Sequence, residues 1–285
     1  MAAMPIDASR GLVPPRPNGL AHSWLALRAI TARELFKFVR QPSRLISALV
    51  RPALWLIVVA AGFQNVLGVS IIAPYRTYIT YQEYMLPGLL GMMLLFNGMQ
   101  SSLSLVYDRE MGMMRLLLTA PLPRWYVLLA KLVAGAMLSL AQAYAFLIVA
   151  RLFNVQIPLW GWLTTLPAML AVGLMLGSIG LVLSVYIRQL ENFAGTMNFV
   201  IFPMFFCSSA LYPLWKLRES GASVLWWIAQ FNPFTHAVEL IRFAAYGQMN
   251  WLALAVVVAV GIVAFLVAVL GYDPQRGLLM RKGGD

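Results

Sequence analysis

The sequence predicts an all-α polytopic membrane protein with six transmembrane helices. Of its 285 residues, 61% are hydrophobic and only 11% are charged, whereas a soluble domain carries about 25% charged residues. The hydrophobic residues form long runs, and six runs reach the roughly 20 residues that a helix needs to cross a bilayer. These runs lack a period-2 alternation, which excludes a transmembrane barrel. The predicted spans are 45–66, 86–106, 127–149, 162–185, 193–212 and 251–270.

The placement of basic residues predicts the orientation of the spans. The formal net charge is +11, which in a soluble protein would suggest nucleic acid as a partner. With six spans, however, both termini lie on one side of the membrane, and that side holds 16 of the 21 Lys and Arg residues. The positive-inside rule then places both termini in the cytoplasm. The charge therefore indicates membrane lipids and not nucleic acid as its partner.

The amino-terminal part is predicted to lie outside the bilayer. Residues 1–22 lack the apolar segment of a secretory signal, and their Pro and Gly content predicts a flexible cytoplasmic tail. Residues 23–44 predict an amphipathic helix in the membrane interface, because apolar side chains share one face and basic side chains recur on the other. A helix packed on a soluble partner is the alternative. The basic face consists of Arg33, Lys37, Arg40 and Arg44.

Two predicted spans carry residues suited to contacts between helices. The second span holds the amides Asn97 and Gln100, which either bond across helices or face a polar cavity. The fourth span holds Gly173, Gly177 and Gly180. Small residues at helical spacing let neighbouring backbones approach closely, so we expect tight packing there.

The segment 108–120, between the second and third spans, predicts a short amphipathic helix on the cytoplasmic side. Asp108 is predicted to be its N-cap. Glu110 lies where the helix dipole favours an anion, and Arg115 lies where it favours a cation. Pro121 ends the helix. From these residues alone, a contact with a partner and a plain interfacial loop helix are equally good interpretations.

The fifth span carries an aromatic stripe with an amide beside it. Phe199, Phe202 and Phe206 recur at helical spacing, and Asn198 precedes them. Aromatic residues in a span more often pack in the bundle or face lipid than line a substrate path, and the sequence leaves these alternatives open.

The outer segment 213–250 differs from the other loops because it is long and still apolar. Asn232 and Pro233 predict an N-cap followed by a first-turn proline. We expect two short helices here, at about 221–230 and 233–246, which enter the bilayer partway and return.

One face of the second short helix carries His236, Glu239 and Arg242. An ion pair between Glu239 and Arg242 is a better interpretation than a substrate contact. His236 and Glu239 are also the only candidates for the polar cluster that a membrane-embedded lipid-modifying enzyme would need. The single cysteine, Cys207, and two distant histidines make no metal site.

Several kinds of chemistry have no motif in the chain. No GxxxxGK[ST] sequence occurs, so ATP is not expected to bind this chain through a P-loop. HExxH and GxSxG are likewise missing. No carboxylate lies in the middle of a span, which argues against ion-coupled carriers and intramembrane hydrolases. A passive channel remains a further alternative.

Taken together, these features resemble the membrane subunit of ABC-2-type ABC exporters over nearly the whole chain after residue 22. The resemblance is closest to the nodulation-factor and daunorubicin export permeases. One motif that carries it is YDREMGMMRLLLTAPLPRW after the second span; the other is ENFAGTMNFVIFPMFFCSSALYPL followed by NPFTHAVELIR. In the second motif the matching residues are Glu191, Pro203, Ser208, Pro213, Asn232, Pro233, Glu239 and Arg242.

The resemblance implies a permease of the bacterial inner membrane that pairs with a second copy or a paralogue. Two ATPase subunits, which bind ATP and Mg, would dock from the cytoplasm, while the permease itself binds no cofactor and is no enzyme. The segment 108–120 would be the coupling helix seated in the ATPase. The residues that match the family's pattern are Glu110, Gly112, Leu116, Leu117 and Pro121, and the coupling residues also include Asp108, Arg109 and Arg115.

The same resemblance implies a path between protomers and an outer closure within the transmembrane domain, 45–272. The first, second and fifth spans would line the path, and the outer hairpin 213–250 would close its exit. The tail 273–285 would be cytoplasmic. An apolar, aromatic path suits an amphiphile such as a drug, a lipid or a lipid-linked glycan. The candidate path residues are Asn97, Gln100, Asn198, Phe199, Phe202 and Phe206.

Overall fold

The elements defined in the described part of the chain are all helical, as the composition predicts. A computed structural model describes residues 25, 28–29, 31–32, 36, 42–59, 73–75, 79–111, 123–155, 157–187 and 189–272. Numbered along the chain, the helices are α1 (Pro42–Leu54, continued by a π-helical turn at Trp55–Val59), α2 (Tyr81–Glu110), α3 (Arg124–Leu152), α4 (Leu159–Tyr186), α5 (Leu190–Phe206), α6 (Leu214–Glu219), α7 (Ser223–Phe231), α8 (Pro233–Ala245) and α9 (Trp251–Gly271).

Four of these helices, α2, α3, α4 and α9, are long and apolar enough to cross a membrane. They coincide with the second, third, fourth and sixth predicted spans. The predicted first span overlaps α1 and its π-helical turn, and its residues 60–66 lie outside the described residues. The fifth span corresponds to α5, which has 17 residues. At 1.5 Å per residue it is about 25 Å long, slightly less than a hydrocarbon core of about 30 Å.

α5 ends at Phe206, six residues before the predicted end of the fifth span. Pro203 interrupts the hydrogen bonding of its last turns because it has no N–H. The chain then forms a turn in which the Ser208 hydroxyl donates to the Phe205 carbonyl at 2.6 Å and accepts from the Ala210 N–H at 3.2 Å. These local side-chain bonds compete with helical ones and redirect the chain.

The predicted N-cap at Asp108 is wrong. α2 continues without a break through Asp108 to Glu110, so this carboxylate lies in the last turn of a long helix. An anion is unfavourable at that end of the helix dipole, and Asp108 forms an ion pair with Lys131 of α3 that offsets the cost. The continuation 112–120 of the predicted coupling helix lies outside the described residues.

The segment 213–250, which was predicted to lie on the outer side of the membrane, contains three helices where two were predicted. α7 and α8 correspond to the predicted pair, and α6 is the addition. α6 has six residues and follows Pro213, too few for a periodic pattern to be recognised. α8 is largely buried and packs against α2, α4 and α9.

α2 is the central helix, and glycines set its closest contacts. It packs against α3, α4, α5 and α8. A Cβ added to Gly88 would lie 2.6 Å from the Ala210 carbonyl oxygen, and one added to Gly98 would lie 3.0 Å from the Gly177 nitrogen. Only a residue without a side chain fits such approaches. The close packing predicted for the glycines of the fourth span is therefore confirmed at Gly177.

Candidate functional site

α5 combines sparse packing along its length with polar attachments at both ends. Its buried residues are Phe193, Ile201 and Phe205. The opposite side of the helix is exposed, including Phe199, whose side chain is 79% exposed. We call this surface the α5 face; it consists of Asn198, Phe199, Phe202 and Phe206.

The first attachment joins α5 to the end of α2. The Leu190 backbone N–H, at the start of α5, donates to Oε1 of Glu110 at 2.8 Å. Gln189, which precedes the helix, makes no side-chain capping bond of its own. Glu110 therefore caps α5 from another helix, and its charge suits the positive end of the α5 dipole. The last residue of α2 is thereby bonded to the first residue of α5.

An ion pair two residues earlier joins α2 to α3. Asp108 and Lys131 are in contact, with side chains 26% and 14% exposed. A partly buried pair of this kind is screened less by solvent than a surface pair. The carboxyl-terminal end of α2 is thus linked to both α3 and α5.

The second attachment of α5 is the side chain of Asn232. Its Nδ2 donates to the carbonyls of Met204 and Cys207, each at 2.7 Å, and its Oδ1 accepts from the Phe234 N–H at 2.9 Å. One amide therefore satisfies two carbonyls at the end of α5 and one N–H at the start of α8. The predicted N-cap role of Asn232, with Pro233 in the first turn, is confirmed.

Arg242 fastens α8 to the turn that follows α5. Its side chain is 3% exposed and pairs with Glu239, so the predicted ion pair is confirmed. Its Nη2 also donates to the Ser209 carbonyl at 2.8 Å, and its guanidinium lies 4.1 Å from the centre of the Tyr84 ring. A buried guanidinium needs such partners to offset its desolvation.

Tyrosines complete the surroundings of Arg242. The Tyr84 hydroxyl donates to the same Ser209 carbonyl at 3.0 Å. Tyr75 packs edge-on against Tyr246, with ring centres 4.9 Å apart. Burial raises the pKa of Tyr75 to about 12, although Arg242 acts in the opposite direction. Tyr75 therefore stays neutral at physiological pH, and the charge of Arg242 is balanced by Glu239.

His236 and Glu239 do not form a joint polar centre. His236 Nε2 lies 3.1 Å from the Gln230 carbonyl, whereas Glu239 is engaged by Arg242. In the described part of the chain, no group of three or more His, Cys, Asp or Glu side chains could hold a metal ion. Each residue of the candidate catalytic pair thus has a separate partner.

Among the described residues, neither predicted amide of α2 forms a hydrogen bond to α5. Asn97 donates through Nδ2 to Oε1 of Gln142 on α3, so of its two interpretations the bond across helices is the one observed. Gln142 is itself 3% exposed. Gln100 is half-buried one turn further along α2. A ring of α2 does reach α5, since Phe96 packs edge-on against Phe202.

Several predicted residues lie outside the part of the chain that the structure describes. In the basic face of the interfacial helix, Arg44 falls within α1, and its side chain is not described. Arg109 is likewise helical without a described side chain. The others outside the described residues are Arg33, Lys37, Arg40, Gly112, Arg115, Leu116, Leu117 and Pro121.

Comparison with known proteins gives one consistent result. The profile of the family described as ABC-2 type transporter matches residues 26–246. The putative transport permease ycf38 of Cyanophora paradoxa is 30% identical over 236 residues, which are 79% of this chain and 76% of that protein. The inner membrane transport permease YadH of Escherichia coli (strain K12) is 23% identical over 246 residues, 86% of this chain and 91% of YadH. The probable multidrug ABC transporter permease YbhR of the same strain is 26% identical over 171 residues, 59% of this chain and 45% of YbhR.

Proposed function

Because the chain belongs to the ABC-2 type transporter family and is a transport permease embedded in the membrane, we propose that it is the membrane subunit of an ATP-driven exporter. The observation that carries the proposal is the bond between Glu110 and Leu190. It connects the segment predicted to meet an ATPase with the helix predicted to line the path.

We propose that a separate ATPase subunit binds ATP and Mg and docks on the cytoplasmic side. The absence of a P-loop sequence supports this division of labour. The membrane unit would be a pair of permeases, either two copies or a copy and a paralogue. Six spans, with both termini in the cytoplasm of a bacterium, remain our proposal for the topology, with α1 and α5 added to the four long helices. YadH, which is named an inner membrane permease, supports the location.

The coupling segment 108–120 would seat against the ATPase. Two residues at its described start bond to other helices of the permease. Asp108 pairs with Lys131 of α3, and Glu110 accepts from the Leu190 N–H of α5. A displacement of the inner end of α2 would therefore reach both helices directly. We propose that Glu110 acts as a link between helices, while the ATPase itself is met by the residues after it, including Arg115, Leu116 and Leu117.

The α5 face would line the path between the two permeases. An amide and three aromatic rings on an exposed helix side suit an amphiphilic substrate, because rings contact apolar groups while the amide can bond to polar ones. The name of YbhR, a probable multidrug permease, supports a drug-like substrate, and a lipid or lipid-linked glycan has the same character. The nodulation-factor and daunorubicin subgroup stays part of this proposal.

The outer helices α6 to α8 would close the exit of the path. α8 is fixed to the end of α5 by Asn232 and to the following turn by Arg242. A movement of α5 would therefore be transmitted to α8 at its outer end, as well as to α2 at its inner end. Opening and closing could then be driven from the cytoplasm through one helix.

The proposal is tested by reconstituting the permease in liposomes with a candidate ATPase subunit that carries a P-loop. We expect no ATP hydrolysis by the permease alone, and efflux of an amphiphilic dye that requires ATP when both subunits are present. Efflux that proceeds without ATP would indicate a passive channel and would contradict the proposal. ATP hydrolysis by the purified permease would contradict it equally.

A further inference from the structure

An arginine of α1 lies beside the α5 face. The guanidinium carbon of Arg51 is 3.8 Å from the centre of the Phe96 ring of α2. The Phe96 ring packs in turn edge-on against Phe202 of the α5 face, with ring centres 6.5 Å apart. One turn after Arg51, Trp55 packs against Phe206 of the same face, with ring centres 5.9 Å apart. The positive charge of Arg51 therefore lies next to the rings of the α5 face.

The guanidinium of Arg51 lies near the middle of the predicted spans. Phe96, which it contacts, is ten residues from either end of the predicted second span, 86–106. At 1.5 Å per residue this is about 15 Å, or half of a hydrocarbon core of about 30 Å. Arg51 itself is only six residues from the start of the predicted first span, 45–66. A snorkelling arginine extends towards the nearer membrane surface, whereas this one extends towards the centre.

Arg51 has no carboxylate beside it in the described part of the chain. The ion pairs found there join Asp108 to Lys131 and Glu239 to Arg242. The face of the Phe96 ring attracts the cation, but it offers no oxygen to the five N–H donors of a guanidinium. Arg51 is also exposed, so these donors are accessible to a further partner. An arginine inside a membrane needs such a partner, and arginines of this kind mark the paths of substrates and ions.

A second copy of the permease does not supply a carboxylate at this depth. In a symmetric pair whose axis is perpendicular to the membrane, each residue lies at the same depth in both copies. In α2, Glu83 and Asp108 are 13 and 12 residues from Phe96, or about 18 Å and more along the helix. Glu191 of α5 is 11 residues from Phe202, or about 16 Å. The partner of Arg51 must therefore come from outside the permease pair.

Building on the proposed transport function, we propose that Arg51 binds the acidic head group of the transported substrate, which is an anionic amphiphile with a phosphate or a carboxylate. A guanidinium can donate two parallel hydrogen bonds to either group, while the exposed rings of the α5 face contact the apolar part of the same molecule. A phospholipid that stays in its leaflet keeps its head group at the membrane surface, about 15 Å away. An acidic group reaches Arg51 only while it crosses the membrane.

The proposal is tested by binding two matched probes to the full chain in phosphatidylcholine nanodiscs, without an ATPase. One probe is a dodecyl phosphate with an NBD fluorophore at the end of its chain. The other is the corresponding NBD-labelled dodecanol, which has the same chain without the charge. After subtraction of binding to empty nanodiscs, we expect the phosphate to bind roughly tenfold more tightly than the alcohol. Equal affinities would overturn the proposal.

Variants of Arg51 separate recognition of charge from a structural role. Arg51→Gln should weaken binding of the phosphate roughly tenfold and change binding of the alcohol by less than about twofold. An equal loss for both probes would mean that Arg51 only supports the fold of the path, and would overturn the proposal. Arg51→Lys keeps the charge without the planar fork, so its affinity for the phosphate should be intermediate. The lysine variant carries the test alone if Arg51→Gln does not fold.

The matched control is Arg151→Gln. Arg151 is exposed in the last turn of α3, so this variant removes the same charge from a position away from the α5 face. We expect its affinity for the phosphate to stay within about twofold of the native value. A loss as large as that of Arg51→Gln would show that net charge alone attracts the probe, and the proposal would fail.

A further comparison distinguishes a transported substrate from a resident lipid. Replacing part of the phosphatidylcholine by phosphatidylglycerol adds head groups with the same phosphate chemistry, and Arg51→Gln reports the effect of their surface charge alone. We expect the native protein and Arg51→Gln to respond alike, within about twofold. Competition confined to the native protein would identify a resident phospholipid as the occupant and would overturn the assignment to the substrate.

ATP-driven efflux of the phosphate probe is measured separately in liposomes with the candidate ATPase. Binding that depends on Arg51 without such efflux would contradict the exporter but not the anion site. Efflux of both probes at equal rates, unchanged in Arg51→Gln, would contradict the anion site but not the exporter. The two proposals can therefore fail independently.

Discussion

α5 and α9 both lie at the edge of the helical bundle, but they are held there in different ways. α9 has a mean hydropathy of 3.2 over its most apolar window, and only 17% of that window is buried. Its side chains need no polar partner, because lipid solvates them as well as protein does. α5 exposes an amide and three rings, and it is fixed by Glu110 at one end and Asn232 at the other.

The difference indicates which helix can transmit a displacement. A helix held along an apolar side moves only with its neighbours, and its position does not depend on any single bond. A helix held at its two ends follows whichever end is displaced. Single substitutions should therefore matter more at the ends of α5 than anywhere on α9.

The largest loss of folding stability is expected for Arg242→Ala, which removes the hydrogen bond between α8 and the turn after α5. It leaves Glu239 without its partner and the Ser209 carbonyl without its Arg242 bond. Breaking a buried ion pair from one side costs about 3 kcal/mol. Unfolding followed by tryptophan fluorescence in detergent would measure the loss.

The matched control is Arg218→Ala. Arg218 is exposed, and its guanidinium lies 5.9 Å from the centre of the Trp226 ring. An exposed contact of this kind is worth less than about 1 kcal/mol. Equal losses for the two arginines would show that burial of Arg242 contributes nothing to the outer fold.

A smaller effect is expected for Asn232→Ala, and α9 supplies its control. Asn232 satisfies three backbone groups, whereas Asn250 accepts a single capping bond from Ala253 at the start of α9. We expect the free energy of unfolding to fall by about 2 kcal/mol in the first variant and about 1 kcal/mol for Asn250→Ala. A larger loss at Asn250 would reverse the proposed contrast between α5 and α9.

Glu110→Ala should affect coupling more than stability. The residue is exposed, so its removal should change the free energy of unfolding by less than about 0.5 kcal/mol. If the driven state depends on the link from Glu110 to the Leu190 N–H, ATP-dependent efflux should fall roughly tenfold, which corresponds to about 1.4 kcal/mol in the barrier to transport.

Two variants control the Glu110 experiment. Glu110→Gln keeps an acceptor oxygen for the Leu190 N–H and should retain most of the efflux. Glu191→Ala removes an exposed carboxylate from the first turn of α5 without breaking the link to α2. The idea of a link between α2 and α5 fails if Glu110→Ala transports normally while the ATPase remains coupled.

The sequence predicted the helices well because each span must satisfy its own backbone in lipid. Long apolar runs therefore mark α2, α3, α4 and α9 directly. Asn232 was also predicted, because an N-cap followed by proline is a local signal in the sequence. Its two bonds to the end of α5 were not predicted, because the carbonyls of Met204 and Cys207 lie more than 20 residues earlier.

The bonds that make α5 distinctive join distant parts of the chain. Glu110 and Leu190 are 80 residues apart, and Asp108 and Lys131 are 23 apart. Spacing along a helix cannot report such pairs, because it describes neighbours within one element. The expectation that Asp108 begins a helix failed for a related reason: a carboxylate before a charged run suits an N-cap, but here packing of α2 in the bundle extends the helix past it.

The smallest perturbation compares the surfaces of the two helices through cysteine chemistry. In a Cys207→Ala background, which removes the single native thiol, we compare Asn198→Cys on α5 with Val263→Cys on α9. Only the thiolate reacts with a charged maleimide, and a thiol in lipid stays protonated. If the α5 face borders a hydrated path, Asn198→Cys should label readily while Val263→Cys should not, with little change in stability for either variant. Labelling that is equally slow at both positions would place the α5 face in lipid. In that case Asn198 would be an amide exposed to hydrocarbon, and the two helices would differ only in how their ends are held.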